Sequence, residues 1–315
     1  MEYRTVRSEI HSRSGRLVRI VKWVVLALVV LALAYLGLGA YVASEVTKIG
    51  DHPQFDFTPK TYGVEYQSVR LAARGDGTEI AAWYLPQEGS TSAIILVHGR
   101  DASKQNAITG HFPQLGAALH RAGHSVLMID MRGHGDSEGV RYSFGVYERQ
   151  DVLGAVDWLL AEGFEPGKIG VLGLSMGGGA TISAAAEEQA VGVLVLESTF
   201  ADLWTLVEAK FSEESGLPNL FLPGVRLMNR LMYGYDLRHI RPVEEIVEVA
   251  PRPIMIIHCS IDEDVPLWHA EQLMQAVPDA ETWVMGECEH ADIYRDYPQE
   301  YERLVIGFFD EHLGD

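Results

Sequence analysis

The longest unbroken apolar run lies near the N-terminus, where residues 23–44, from Trp23 to Ser44, carry no charge and are mostly Leu, Val and Ala. No polar stripe interrupts it, so it reads neither as an amphipathic surface helix nor as a buried core helix, which would normally show one. As a helix it covers roughly 33 Å, enough for a hydrocarbon core of about 30 Å. Residues 45–62 contain Gly50, Pro53 and Pro59 without periodicity and read as a linker. From residue 63 the pattern turns to strands. Segments 64–72 and 79–85 predict an antiparallel pair joined through Arg74-Gly75-Asp76-Gly77. Short apolar runs at 93–97, 125–129, 169–172, 193–196, 254–258 and 282–285 predict strands buried on both faces. Helical patterns fill the intervals at 111–121, 147–161, 176–188, 267–276 and 297–312. That alternation predicts an α/β fold with a mostly parallel sheet and helices on both faces. The interval 200–247 is about twice a usual crossover and reads as a helical lid inserted over the carboxyl end of the sheet.

Charge adds topology. Arg4, Arg7, Arg13, Arg16, Arg19 and Lys22 precede the apolar run, whereas only Lys48 and Lys60 follow closely. The positive-inside rule therefore makes residues 1–22 a cytoplasmic segment and 23–44 a single transmembrane helix, with the folded domain at 63–315 outside the cytoplasm. A cleaved signal would have an apolar region of about 7–15 residues, and Val42-Ala43-Ser44 is a mediocre cleavage site, which favours a retained anchor in the cell membrane. The net charge of -19, with 44 acidic against 25 basic residues, excludes the extended basic face that nucleic acid requires. Two cysteines are too few for a disulfide scaffold or a four-cysteine zinc site. His111, His120 and His124 lack metal-ligand spacing, and no dinucleotide or phosphate-loop fingerprint occurs, so neither a catalytic metal nor a cofactor is expected.

The sharpest chemical signal is Gly173-Leu174-Ser175-Met176-Gly177, between the predicted strand at 169–172 and the predicted helix at 176–188. G-x-S-x-G in that setting is a nucleophile elbow, a tight turn that lifts a serine hydroxyl clear of the backbone. The helix that starts there aims its free N–H groups at the site. A serine hydroxyl needs a base, and the base needs a carboxylate to orient it. The chain order Ser, acid, His confines the search to the region after residue 247. There Asp262 lies in the loop past the strand at 254–258, and His290 in the loop past the strand at 282–285, both at the same sheet edge as Ser175.

These residues resemble the serine esterase, lipase and peptidase branch of the α/β-hydrolase superfamily over roughly residues 64–313. The family's H-G-x-x-D-x-x-V-P acid motif falls on His258 to Pro266 and selects Asp262 over Asp264, which then reads as a solvated residue or helix cap. His98-Gly99 matches the family's oxyanion loop, which implies backbone N–H groups of Arg100 and Met176 as the oxyanion hole. Asp130 to Ser137 resembles the family's D-x-R-G-x-G-x-S turn, a structural element. Two positions depart from the pattern: Cys259 replaces a glycine of the acid motif, and Cys288 sits two residues before His290. At the ends of neighbouring predicted strands they could approach within disulfide range, or remain two half-buried thiols. The reading is a membrane-anchored serine hydrolase that cleaves small-molecule carboxylic esters through Ser175, His290 and Asp262. A peptidase, thioesterase or acyltransferase of the same fold is the alternative within this chemistry, and a non-catalytic membrane-tethered binding protein the alternative outside it.

Overall fold

Eight strands form one sheet in the computed structural model, which describes residues 2–50 and 55–314; residues 51–54 of the expected linker, Met1 and Asp315 lie outside the described residues. The strands are β1 (Gln67–Ala72), β2 (Glu79–Leu85), β3 (Ala93–Val97), β4 (Ser125–Ile129), β5 (Ile169–Leu174), β6 (Val191–Glu197), β7 (Ile254–Cys259) and β8 (Glu281–Met285). Their order is β1-β2-β4-β3-β5-β6-β7-β8. β1 and β2 pair antiparallel as expected, β2 meets β4 antiparallel, and every later pairing is parallel. β3 to β7 are almost wholly buried, which is why they read as continuous apolar runs rather than alternating ones.

Side chains alternate between two covered faces. Leu96, Met128, Leu172, Val195 and Ile257 point into a core closed by Phe112, Leu115 and Leu119 of α2 (Phe112–Arg121) and by Tyr301, Val305 and Phe309 of α10 (Pro298–Leu313), which follows the single turn α9 (Ile293–Asp296). Their neighbours Ile95, Leu127, Val171, Leu194 and Ile256 are equally buried. They face the other way, towards the layer of α3 (Glu148–Ala161), α4 (Met176–Glu187) and α8 (Trp268–Ala276). The Asp130 to Ser137 turn is tied by charge. Asp130 accepts from the backbone N–H of Lys104 at 2.7 Å and Asp136 at 2.9 Å and pairs with the Lys104 ammonium, while Arg132 forks onto Asp151 and Asp76. With its carboxylates occupied in this way, the turn is a brace beside the sheet.

Residues 200–247 fold into α5 (Leu203–Ser215), α6 (Leu222–Tyr233) and α7 (Pro242–Val249). The chain divides into two units: residues 47–209 with 238–315, which contain the whole sheet, and residues 1–46 with 210–237. In the second unit α1 (Glu2–Val46) is a single helix that starts well before the apolar run at Trp23. Its 16–46 portion is long and apolar enough to cross a membrane. The segment ahead of the run joins the helix because Arg, Glu and Lys are good helix formers and no proline intervenes.

Candidate active site

β5 ends at Leu174 and α4 begins at Met176, leaving Ser175 alone at the corner with φ 52° and ψ −115°. A non-glycine residue in that region costs on the order of 1–3 kcal/mol, and its surroundings must hold it there. They do so by close packing. A Cβ at Gly173 would stand 2.6 Å from Thr181 Oγ1 and 2.7 Å from the Gly177 carbonyl, and one at Gly177 would collide with the His98 carbonyl. The Ser175 N–H donates to the Glu197 carbonyl at 2.8 Å, which fastens the elbow to the end of β6.

His290 comes from the loop after β8. Its Nε2 lies 2.8 Å from Ser175 Oγ and its Nδ1 2.7 Å from Asp262 Oδ2. Because the carboxylate can only accept, Nδ1 carries the proton and Nε2 is left to accept from the serine hydroxyl. Asp262, buried in the loop after β7, is fixed by Val265 N–H at 2.8 Å and Asp264 N–H at 3.0 Å, both on Oδ1. Burial alone would raise its pKa, yet the hydrogen bond and charge of His290 hold it below the ordinary value. Burial likewise pulls His290 down, but its hydrogen bond to Asp262 and the charges of Asp262, Asp264 and Glu197 raise it on balance. Asp264 is exposed and caps no helix: α8 starts without a side-chain cap. His258 Nε2 donates to the Val265 carbonyl at 2.8 Å and so shapes the acid loop.

The two residues expected to form the oxyanion hole sit in different backbone settings. Met176 is the first residue of α4, so its N–H has no partner within the helix. Arg100 follows Gly99, whose absent side chain lets the loop pass Ser175: a Cβ there would lie 3.3 Å from Ser175 Cβ. Arg100's own side chain is exposed, with Nε 3.6 Å from Asp101. His98 is a buried strut, its Nδ1 donating to the Gly99 carbonyl at 2.7 Å and its Nε2 accepting from Met131 N–H at 3.0 Å. His134 belongs to the turn, with Nδ1 3.0 Å from the Arg132 carbonyl.

Cys259 and Cys288 are joined as a disulfide, with Cα atoms 5.7 Å apart. The link runs between the last residue of β7 and the loop that carries His290, so the acid and histidine loops are stapled together.

Sequence reasoning missed one group. Glu197 ends β6 fully buried, its Oε2 accepting from Tyr301 Oη at 2.7 Å and its Oε1 from Ile293 N–H at 3.3 Å. Burial pushes its pKa up to about 7, against those two hydrogen bonds and the influence of His290. Ser198 Oγ accepts from Ala291 N–H at 3.1 Å. The end of β6 therefore braces both the elbow and the histidine loop. The signal available was a carboxylate closing an apolar run, at the strand end where α/β sheets place their chemistry.

Comparison with known proteins agrees with this architecture. A family model described as X-Pro dipeptidyl-peptidase (S15 family) matches residues 76–219, a stretch that contains Ser175 but neither Asp262 nor His290. The chain is 26% identical to the uncharacterized protein YfhR of Salmonella typhi over 266 residues, covering 75% of this chain and 82% of that one. It is 26% identical to the uncharacterized protein YqkD of Bacillus subtilis, covering 74% and 76%. Among solved structures, the esterase Pf2001 of Pyrococcus furiosus superposes with a TM-score of 0.67 at 23% identity, covering 84% of this chain and all of that one. The acylaminoacyl peptidase of Pyrococcus horikoshii superposes with a TM-score of 0.62 at 18% identity, covering 82% of this chain and 44% of that one. The chain has the α/β-hydrolase fold, and the family match with these neighbours supports a hydrolase.

Proposed function

We propose that this α/β-hydrolase-fold protein is a membrane-anchored serine hydrolase that cleaves carboxylic ester bonds by two-step acyl transfer. His290 takes the Ser175 proton at Nε2 as the hydroxyl oxygen attacks the ester carbonyl, and Asp262 orients the imidazole and stabilises the imidazolium. The oxyanion is held by the Met176 and Arg100 backbone N–H groups. His290 then returns the proton to the leaving alkoxide. Water, deprotonated by the same imidazole, releases the acid from the acyl-enzyme. The observation that carries this reading is the unbroken hydrogen-bond relay from Ser175 Oγ through both nitrogens of His290 to Asp262.

Ester cleavage is preferred to peptide cleavage because the match takes in the whole of the esterase but 44% of the acylaminoacyl peptidase, whose remainder has no counterpart in the match. The S15 match favours a peptidase as the second reading. A fluorophosphonate probe should label the protein and fail on Ser175→Ala; absence of labelling on the intact protein refutes catalysis and leaves a tethered binding protein. A panel of p-nitrophenyl esters, thioesters and aminoacyl amides then separates the two chemistries, and turnover of amides alone rejects the esterase. α1 is the single membrane anchor in this reading, with the N-terminus cytoplasmic and the sheet domain outside. In inside-out vesicles the sheet domain should resist added protease, and its digestion would reverse the orientation.

A further inference from the structure

The unit that contains α1 holds a second apolar surface. Tyr35 of α1 donates its hydroxyl to the Leu220 carbonyl and accepts from Gly224 N–H, each at 3.0 Å. Its ring stacks on Phe221 with centroids 5.6 Å apart. Four residues further along α1, Gly39 meets Gly224 so closely that a Cβ on Gly39 would lie 2.7 Å from the Gly224 carbonyl carbon. Small residues at such a crossing let two helix backbones touch, as membrane helices do. Gly224 lies in the first turn of α6, where an N–H has no partner within the helix, and the tyrosine hydroxyl supplies one.

The depth of this contact follows from helix geometry. A hydrocarbon core of about 30 Å takes up about 20 residues of helix. Counted from Lys22, the last charge before the apolar run, it ends close to Val42. Tyr35 then lies about 10 Å inside the outer boundary. Whatever is bonded to Tyr35 shares that depth, so the start of α6 cannot be in bulk water. The composition of α6 agrees. Leu227 and Leu231, four apart on one side of α6, are exposed, the latter at 69%, and Leu220 in the turn just before the helix is exposed at 72%. Arg230 is exposed beside them. A row of leucines flanked by a cation is the composition of a helix lying in a lipid interface.

We infer that residues 219–233 are a second membrane contact: α6 lies in the outer interface of the bilayer beside the end of α1, with Leu220, Leu227 and Leu231 among acyl chains and Arg230 at the headgroups. The inference rests on α1 crossing the membrane.

The described residues contain no free cysteine, so single cysteines can be labelled selectively. The full chain carrying Leu227→Cys or Leu231→Cys is labelled with an environment-sensitive NBD maleimide and reconstituted into phosphatidylcholine–phosphatidylglycerol vesicles that contain lipids spin-labelled at acyl carbon 5 or 12. Leu28→Cys in the apolar run and Glu214→Cys, an exposed acidic position of the same inserted segment, are the references. Labels at 227 and 231 should be quenched at least twofold by the carbon-5 lipid, the label at 28 most strongly by the carbon-12 lipid, and the label at 214 by neither. If 28 is quenched while 227 and 231 behave like 214, the second contact is overturned and the anchor stands. If 28 is not quenched, the anchor itself falls and takes this inference with it.

Discussion

Breaking the Cys259–Cys288 staple gives the most direct measure of what the acid and histidine loops contribute to stability and geometry. The bond closes a loop with a sequence separation of 29, and a loop of that size removes about 3.6 kcal/mol of chain entropy from the unfolded state. At about 2–4 °C per kcal/mol for a domain of this size, its loss should lower the thermal midpoint by about 7–14 °C. The same bond ends three residues before Asp262 and two before His290, so the 2.7 Å contact between them loses a tether at both ends. A misplacement of about 1 Å can cost about a hundredfold in rate, which sets the upper bound on the accompanying fall in fluorophosphonate labelling. The measurement compares the intact protein with and without reductant, alongside Cys259→Ala/Cys288→Ala, by thermal melt and by labelling rate. Reductant should carry the intact protein to the melting point of the double variant and leave that variant unchanged. If mass analysis shows both thiols free and the midpoint has not moved, the staple argument is wrong.

Gly177→Ala puts a methyl group against the His98 carbonyl and 2.8 Å from the Val97 carbonyl. Both are backbone atoms, so the oxyanion loop must shift, and labelling should slow by about a hundredfold; an unchanged rate would show that the loop does not serve the site. Gly307 sits inside α10 with nothing within 4 Å of where a Cβ would be, so Gly307→Ala should stabilise the protein by about 0.5–1 kcal/mol in denaturant titration, and a loss of stability would contradict the open space. His290 must be neutral to accept the serine proton, and its pKa is raised above 6.5, so the labelling rate should fall as pH drops through a value above 6.5. Glu197→Gln removes the negative charge that Glu197 carries above its own pKa of about 7 and that helps raise His290, so the upper part of the acidic limb should move to lower pH, and a limb that moves up refutes the assignment.

The sheet was legible because its strands are buried on both sides: runs such as Ile94 to Leu96 and Ile254 to Ile257 have few polar interruptions to confuse the pattern. The hydrogen-bonded trio was legible because each member follows a short apolar run that becomes a strand, and strand ends of a parallel sheet share one rim; the run before His290 was expected to be buried on both faces, but β8 lies at the sheet edge and is largely exposed. Ends of elements were less visible. β6 continues past Leu196 to Glu197, since Tyr301 and Ile293, distant in sequence, supply the partners that let a carboxyl end a buried strand. α6 begins at Leu222, a boundary the helical pattern of 200–247 leaves open, because Pro223 is tolerated in a first turn. The partnership of residues 210–237 with α1 had no local signal at all: it depends on Gly39 meeting Gly224, 185 positions away in the chain, through the absence of two side chains.

The contorted backbone at Ser175 sets reactivity against repose. The residue whose hydroxyl is proposed to attack is also one that an unconstrained chain would rather not adopt in that shape, so the corner persists only while its neighbours insist on it. A descendant freed from the reaction could admit a glycine there and relax, and such a protein should be sturdier for having fallen silent.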